Sequence, residues 1–194
     1  NAQTGNVVLM SHNFMTGQWG DGLRYLFPVL AFAIGVVAAE RIQSTFKYAK
    51  KLHWRQMILL IEILILFAVG FMPGELDMLA TVLVSFSCAM QVQTFRKVNG
   101  YAFASTMCIG NMRSGMEALS AYIRTHDRNV LGKALRYWEI IFLFAVGAGI
   151  GGQFVVLFGA HTIWFSCLLL LVSFCLMFIR EEMKEHPEIS VEEE

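Results

Sequence analysis

Apolar and polar residues alternate along this chain in long blocks, not with the short period of a strand. Five blocks stand out, at 24–42, 56–72, 77–95, 135–158 and 162–180. Each approaches or exceeds the roughly 20 apolar residues that an α-helix needs to cross the hydrocarbon of a bilayer. Inside lipid the backbone has no water to bond, so each block must close its own N–H···O=C bonds, and a helix does this. Short turns separate some of them, Met72-Pro73-Gly74-Glu75 and Phe158-Gly159-Ala160-His161. The pattern predicts an all-α polytopic membrane protein folded as a helical bundle.

The blocks also repeat. Thr4-Gly5-Asn6, Leu23-Arg24-Tyr25 and Phe32-Ala33-Ile34-Gly35 return as Ile109-Gly110-Asn111, Leu135-Arg136-Tyr137 and Phe144-Ala145-Val146-Gly147. The offset is 105 residues at Gly-Asn (110 − 5) and 112 at Leu-Arg-Tyr (135 − 23). A loop longer by seven residues accounts for the change. The chain therefore reads as one transmembrane domain, 1–180, with repeat one at 1–76 and repeat two at 77–180, followed by an acidic tail at 181–194. Repeat two has an apolar block ahead of its Gly-Asn pair and repeat one has none. The expectation is that repeat one lacks its first helix.

Lys and Arg orient the blocks. Arg41, Lys47, Lys50, Lys51 and Arg55 fill one connection, Arg96 and Lys97 follow the third block, and Arg124, Arg128, Lys133 and Arg136 lead into the fourth. The turns at 73–76 and 159–161 carry no Lys or Arg. Basic loops stay on the cytoplasmic side. The block at 24–42 then runs inward and its counterpart at 135–158 outward, which makes the repeats inverted and the C-terminus cytoplasmic. Under that assignment the segment 101–123 has both ends in the cytoplasm, so it is read as broken or re-entrant, as is its counterpart at 1–17. A full span is also long enough, and would make the repeats parallel.

Composition agrees with the block pattern. Hydrophobic residues make up 56% of the chain and the mean hydropathy is +0.55, against roughly 45–50% apolar in a soluble domain. The formal net charge is zero, so no basic surface points to nucleic acid. The four cysteines, Cys88, Cys108, Cys167 and Cys175, lie in apolar stretches without metal-ligand spacing. No phosphate-binding loop, zinc motif or nucleophile–base set is present, so the chain does not read as an enzyme, and no cofactor is implied.

The candidate chemistry is polar groups at membrane depth, where charge is costly and faces a cavity or a partner. Glu62 interrupts the second block. Arg113 and Glu117 lie four apart, a spacing that lets them pair on one helix face. The 105-residue offset sets Glu117 opposite His12 (117 − 105). The Gly5-Asn6 and Gly110-Asn111 pairs are weak signals singly and stronger as a repeat. A helix opened there offers free N–H groups to a polar or anionic solute. Thr4 and Thr106 add hydroxyls, and Gln91 adds an amide near the end of the third block. The substrate-site candidates are thus Thr4, Gly5, Asn6, His12, Glu62, Gln91, Thr106, Gly110, Asn111, Arg113 and Glu117. Structural readings compete with each of them: a helix-packing kink for Gly-Asn, a structural ion pair or a segment lying at the membrane interface for Arg113–Glu117, a bundle hydrogen bond for His12.

Thr4-Gly5-Asn6-Val7-Val8-Leu9 resembles the TGN signature of the YoaK family of bacterial multi-pass membrane proteins, a family of unknown function. Ala89-Met90-Gln91, Arg96, Gly100, Thr106 and Ile109-Gly110-Asn111 are similar to that family's second region. The resemblance covers about 1–180 and departs at Ile109, where Thr is usual, and at Val92, where Asn is common. It implies a bacterial plasma-membrane protein and supplies no reaction or substrate. Taken with the duplication, which many secondary transporters share, these features lead to the expectation of a transporter or permease for a small polar solute. A non-transporting membrane sensor or assembly protein is the alternative. The partners expected are the lipid bilayer and a small solute, with self-association into a homo-oligomer left open.

Overall fold

A computed structural model of the chain describes residues 3–46, 53–98, 101–102 and 108–185. Seven α-helices occur among these residues: α1 (Gln3–Met15), α2 (Trp19–Phe46), α3 (Trp54–Val69), α4 (Asp77–Thr94), α5 (Cys108–Thr125), α6 (Arg128–Phe158) and α7 (Ile163–Glu185). Two-residue strands, Lys97–Val98 and Tyr101–Ala102, pair antiparallel between α4 and α5. Three stretches are long and apolar enough to cross a membrane: Trp19–Phe46, Gly74–Thr94 and the 50-residue run Arg128–Met177 that holds α6, a short 3-10 turn and α7. The chain is an all-α polytopic membrane protein.

All five apolar blocks are helical, and the differences lie at their ends. The helix in block 56–72 starts earlier, at Trp54, and stops at Val69. His53 caps its start, its ring accepting from the Arg55 N–H at 3.3 Å, while Gln56 Oε1 accepts from the His53 N–H at 3.1 Å. This side-chain exchange satisfies donors that the first turn would otherwise leave unpaired. At the other end α7 carries on through Arg180 to Glu185, so the first residues of the acidic tail are helical. Residues 186–194 lie outside the described residues.

The chain divides into two compact units, residues 1–91 with 160–194, and residues 92–159. In the first unit α1 and α2 form a hairpin closed by Thr16-Gly17-Gln18. Gly17 has φ +78°, a left-handed conformation that costs glycine little, and the Gln18 N–H returns to the Asn13 carbonyl at 2.8 Å. In the second unit α5 and α6 form the matching hairpin, and His126, at φ +55°, takes the left-handed position. Asp127 then caps α6 by accepting from the Asn129 N–H at 2.9 Å. Both copies of the Gly-Asn and Leu-Arg-Tyr motifs thus fall on a short helix turned back against a long one.

Elsewhere in the first unit, Ala39, Trp54, Ile58 and Met90 join α2, α3 and α4 in a buried core. Gly35 lets α2 lie directly on α4: a Cβ there would be 2.5 Å from the Phe86 carbonyl oxygen and 2.8 Å from Ala89 Cβ. Small residues at such crossings are what allow helices to pack closely where lipid supplies no hydrophobic drive. α3 also packs along α7. A Cβ at Gly70 would overlap the Trp164 indole, whose N–H donates to the Phe67 carbonyl at 3.4 Å. Phe71 and His161 complete this aromatic cluster, each with its ring centre 5.0 Å from that of Trp164.

Gly147 holds in repeat two the place of Gly35 in repeat one (35 + 112), yet a Cβ there would meet no described atom beyond its own helix within 4 Å. Gly35→Leu should therefore cost about 1–3 kcal/mol through overpacking, and Gly147→Leu less than about 0.5 kcal/mol. Unfolding of the two variants in detergent, followed by circular dichroism, measures the contrast.

Candidate functional site

A cavity of about 350 Å³ opens in the first unit where α3, α4 and α7 meet. That lies within the usual range for small-molecule sites, roughly 300–1,000 Å³. Its polar wall comes from Glu62 on α3, Ser87, Cys88 and Gln91 on α4, and Ser166 on α7. Leu66 and Val84 are among the apolar residues that close the rest.

Helical spacing builds this wall. Ser87 and Gln91 stand four apart, and Cys88 is adjacent, so one strip of α4 is polar and faces Glu62. Glu62 and Leu66 repeat the spacing on α3. On α7, Ser166 lies beside Cys167, whose thiol approaches the Ile63 carbonyl at 3.9 Å and fixes the register of α7 against α3.

Glu62 is only 3% exposed and Ser87 only 1%. The Ser87 hydroxyl is the hydrogen-bonding neighbour of the Glu62 carboxyl, and beyond each other Glu62 Oε2 and Ser87 Oγ have no partner among the described residues. Buried polar atoms are nearly always paired, and leaving one unpaired costs about 1–3 kcal/mol, more for a charged group. A carboxyl and a hydroxyl together can make more hydrogen bonds than the one between them, so this wall has capacity for a ligand. Among the described residues no Lys, Arg or His lines the cavity.

Of the residues singled out in the sequence, Glu62 and Gln91 come together here. The Gly-Asn residues lie elsewhere. Thr4, Gly5 and Asn6 form the first turn of α1, where Asn6 Nδ2 donates to Gln3 Oε1 at 3.2 Å. Gly110 and Asn111 occupy the equivalent turn of α5, with Asn111 buried and Gly110 exposed. Both helices run unbroken through the Gly-Asn pair; residues 1–2 and 103–107, ahead of them, lie outside the described residues. Thr106 lies outside the described residues.

His12 is exposed on α1. Arg113 Nε does meet Glu117 Oε1, at 2.9 Å, but their side chains are 80% and 62% exposed. The geometry is that of an i, i+4 pair along one helix face. On α5 the groups turned inward are Asn111, Gly115 and Ala118, and a Cβ at Gly115 would lie 3.2 Å from Tyr137 Cβ of α6.

Sequence reasoning passed over Ser87, Cys88 and Ser166. Ser87 and Cys88 share a helical face with Gln91, a signal readable once Gln91 is fixed as inward-facing. Ser166 carries no signal of its own, because its partners are remote in sequence.

The helices and their apolar spans define an all-α polytopic membrane protein. The family described as "Protein of unknown function (DUF1275)" matches residues 1–176, and the chain belongs to it. No curated protein and no solved structure matches the chain.

Because the Arg113–Glu117 pair is exposed, Glu117→Gln should change stability by no more than about 0.5 kcal/mol. A melting curve of the purified variant in detergent, set beside the parent protein, gives the value.

Proposed function

We propose that this protein is a transporter or permease that carries a small polar solute across the bacterial plasma membrane, with the solute held in the Glu62 cavity. The observation that carries the reading is a buried carboxyl with a serine hydroxyl beside it on the wall of a cavity of about 350 Å³ between apolar helices. An intramembrane ionisable residue is by default a functional one.

The duplication supports the same reading. Both hairpins, α1–α2 and α5–α6, carry the repeated motifs, and solute sites in duplicated transporters lie near the bilayer midplane between discontinuous helices. In this proposal the repeats are inverted, the basic connections are cytoplasmic and the C-terminus is inside. Glu62 is the solute ligand, Ser87 and Ser166 supply adaptable hydroxyls, and Gln91 gates or orients the solute through its amide.

Glu62→Gln keeps the shape and removes the charge. Uptake of the transported solute by proteoliposomes should fall at least tenfold in this variant, since a hydrogen bond to a charged group contributes roughly 1.5–3 kcal/mol. Glu117→Gln should leave uptake within about twofold. Equal uptake by parent and Glu62→Gln proteins would remove the cavity from the transport path. A solute screen in cells that overproduce the protein supplies the substrate for the assay.

A further inference from the structure

The polar atoms around Glu62 are uneven in sign, and the imbalance identifies a ligand class. Among the described residues the cavity has one carboxyl, two hydroxyls, one amide and one thiol, and no Lys, Arg or His. The carboxylate accepts hydrogen bonds and donates none, and the hydroxyls and the amide can do either. An anionic solute would meet Glu62 as a like charge with nothing basic beside it. A neutral solute would bond to the carboxyl only as one neutral group to another. A cation with N–H donors answers both deficits, because a charge-assisted N–H···O bond to a carboxylate is about twice as strong as a neutral one.

The size and the apolar wall narrow the class. At about 30 Å³ for each water-sized group, a cavity of about 350 Å³ holds roughly ten non-hydrogen atoms. Leu66, Val84, Ile163 and Leu169 supply apolar surface beside the polar groups, which suits a short hydrocarbon body.

We infer that the Glu62 cavity binds small primary ammonium compounds, the –NH₃⁺ group bonded to Glu62 and the Ser87 hydroxyl and the alkyl body lying against Leu66 and Val84. This deepens the transport reading and rests on it for physiological meaning. The binding itself stands or falls separately.

The test uses the full purified chain in detergent and titration calorimetry with n-propylammonium, 1-propanol, propionate and sodium ion. Saturable heat is expected from n-propylammonium and none from propionate or 1-propanol. Affinity should fall about 10- to 100-fold in Glu62→Gln and by less in Glu62→Asp, which keeps the charge and so separates loss of the ligand group from loss of fold. Four results would each overturn the assignment: propionate or 1-propanol binding as well as the amine, sodium competing at equal concentration, Glu62→Gln retaining parental affinity, or no probe giving saturable heat. Flux is then read on the same preparation in liposomes with radiolabelled n-propylammonium. Binding without flux would retire the transport reading and leave the ammonium site in place. Flux with parental affinity in Glu62→Gln would keep transport and retire the site.

Discussion

A carboxyl group placed between apolar helices must find a partner, and much of the first unit is arranged around that requirement. Glu62 is 3% exposed, on a helix whose other buried residues are mostly apolar. Polar side chains at that depth face one another or a cavity. The structure supplies both: Ser87 is buried on the facing wall, and the cavity takes up the remaining hydrogen-bonding capacity. Were α3, α4 and α7 packed without a gap, Glu62 would be a buried polar group with fewer hydrogen-bonding partners, which costs free energy.

The gap persists because the helices around it are held by contacts at other points. Gly35 seats α2 on the α4 backbone near Phe86. Gly70 accepts the Trp164 indole at one end of the α3–α7 contact, and Cys167 reaches the Ile63 carbonyl closer to Glu62. Close approach at these small residues fixes the spacing of α3 from its neighbours. The cavity is then what these contacts leave between them, lined on α4 by a strip that alternates with the buried Met90 and Ala89 on the packed side.

Much of this was legible in the chain. The apolar blocks gave the helices because length and hydropathy alone decide what can lie in lipid. Glu62 was legible because one carboxyl in Ile61-Glu62-Ile63 breaks an otherwise apolar run, and Gln91 because it is an amide near a helix end. The cavity itself was not, since it depends on α7 meeting α3 and α4 from more than 70 residues further along the chain (Ser166 against Gln91, 166 − 91 = 75). The spacing of Arg113 and Glu117 correctly predicted a pair, because i, i+4 geometry is local. Whether such a pair is turned inward depends on which face of α5 meets α6, and Gly115, Asn111 and Ala118 hold that face. The Gly-Asn pairs were readable as repeated.

The central claim is that the Glu62 wall borders a space that a solute can reach from water. Cys88 stands in that wall and is not in a disulfide, so it serves as the reporter once Cys108, Cys167 and Cys175 are replaced by Ser, Ala and Ser. Membrane vesicles holding this variant would be treated with a charged ethylammonium methanethiosulfonate, with and without n-propylammonium. The account predicts that Cys88 reacts in the native protein and that the amine slows the reaction. A Cys88 inert in the native protein yet fully reactive after denaturation would contradict it.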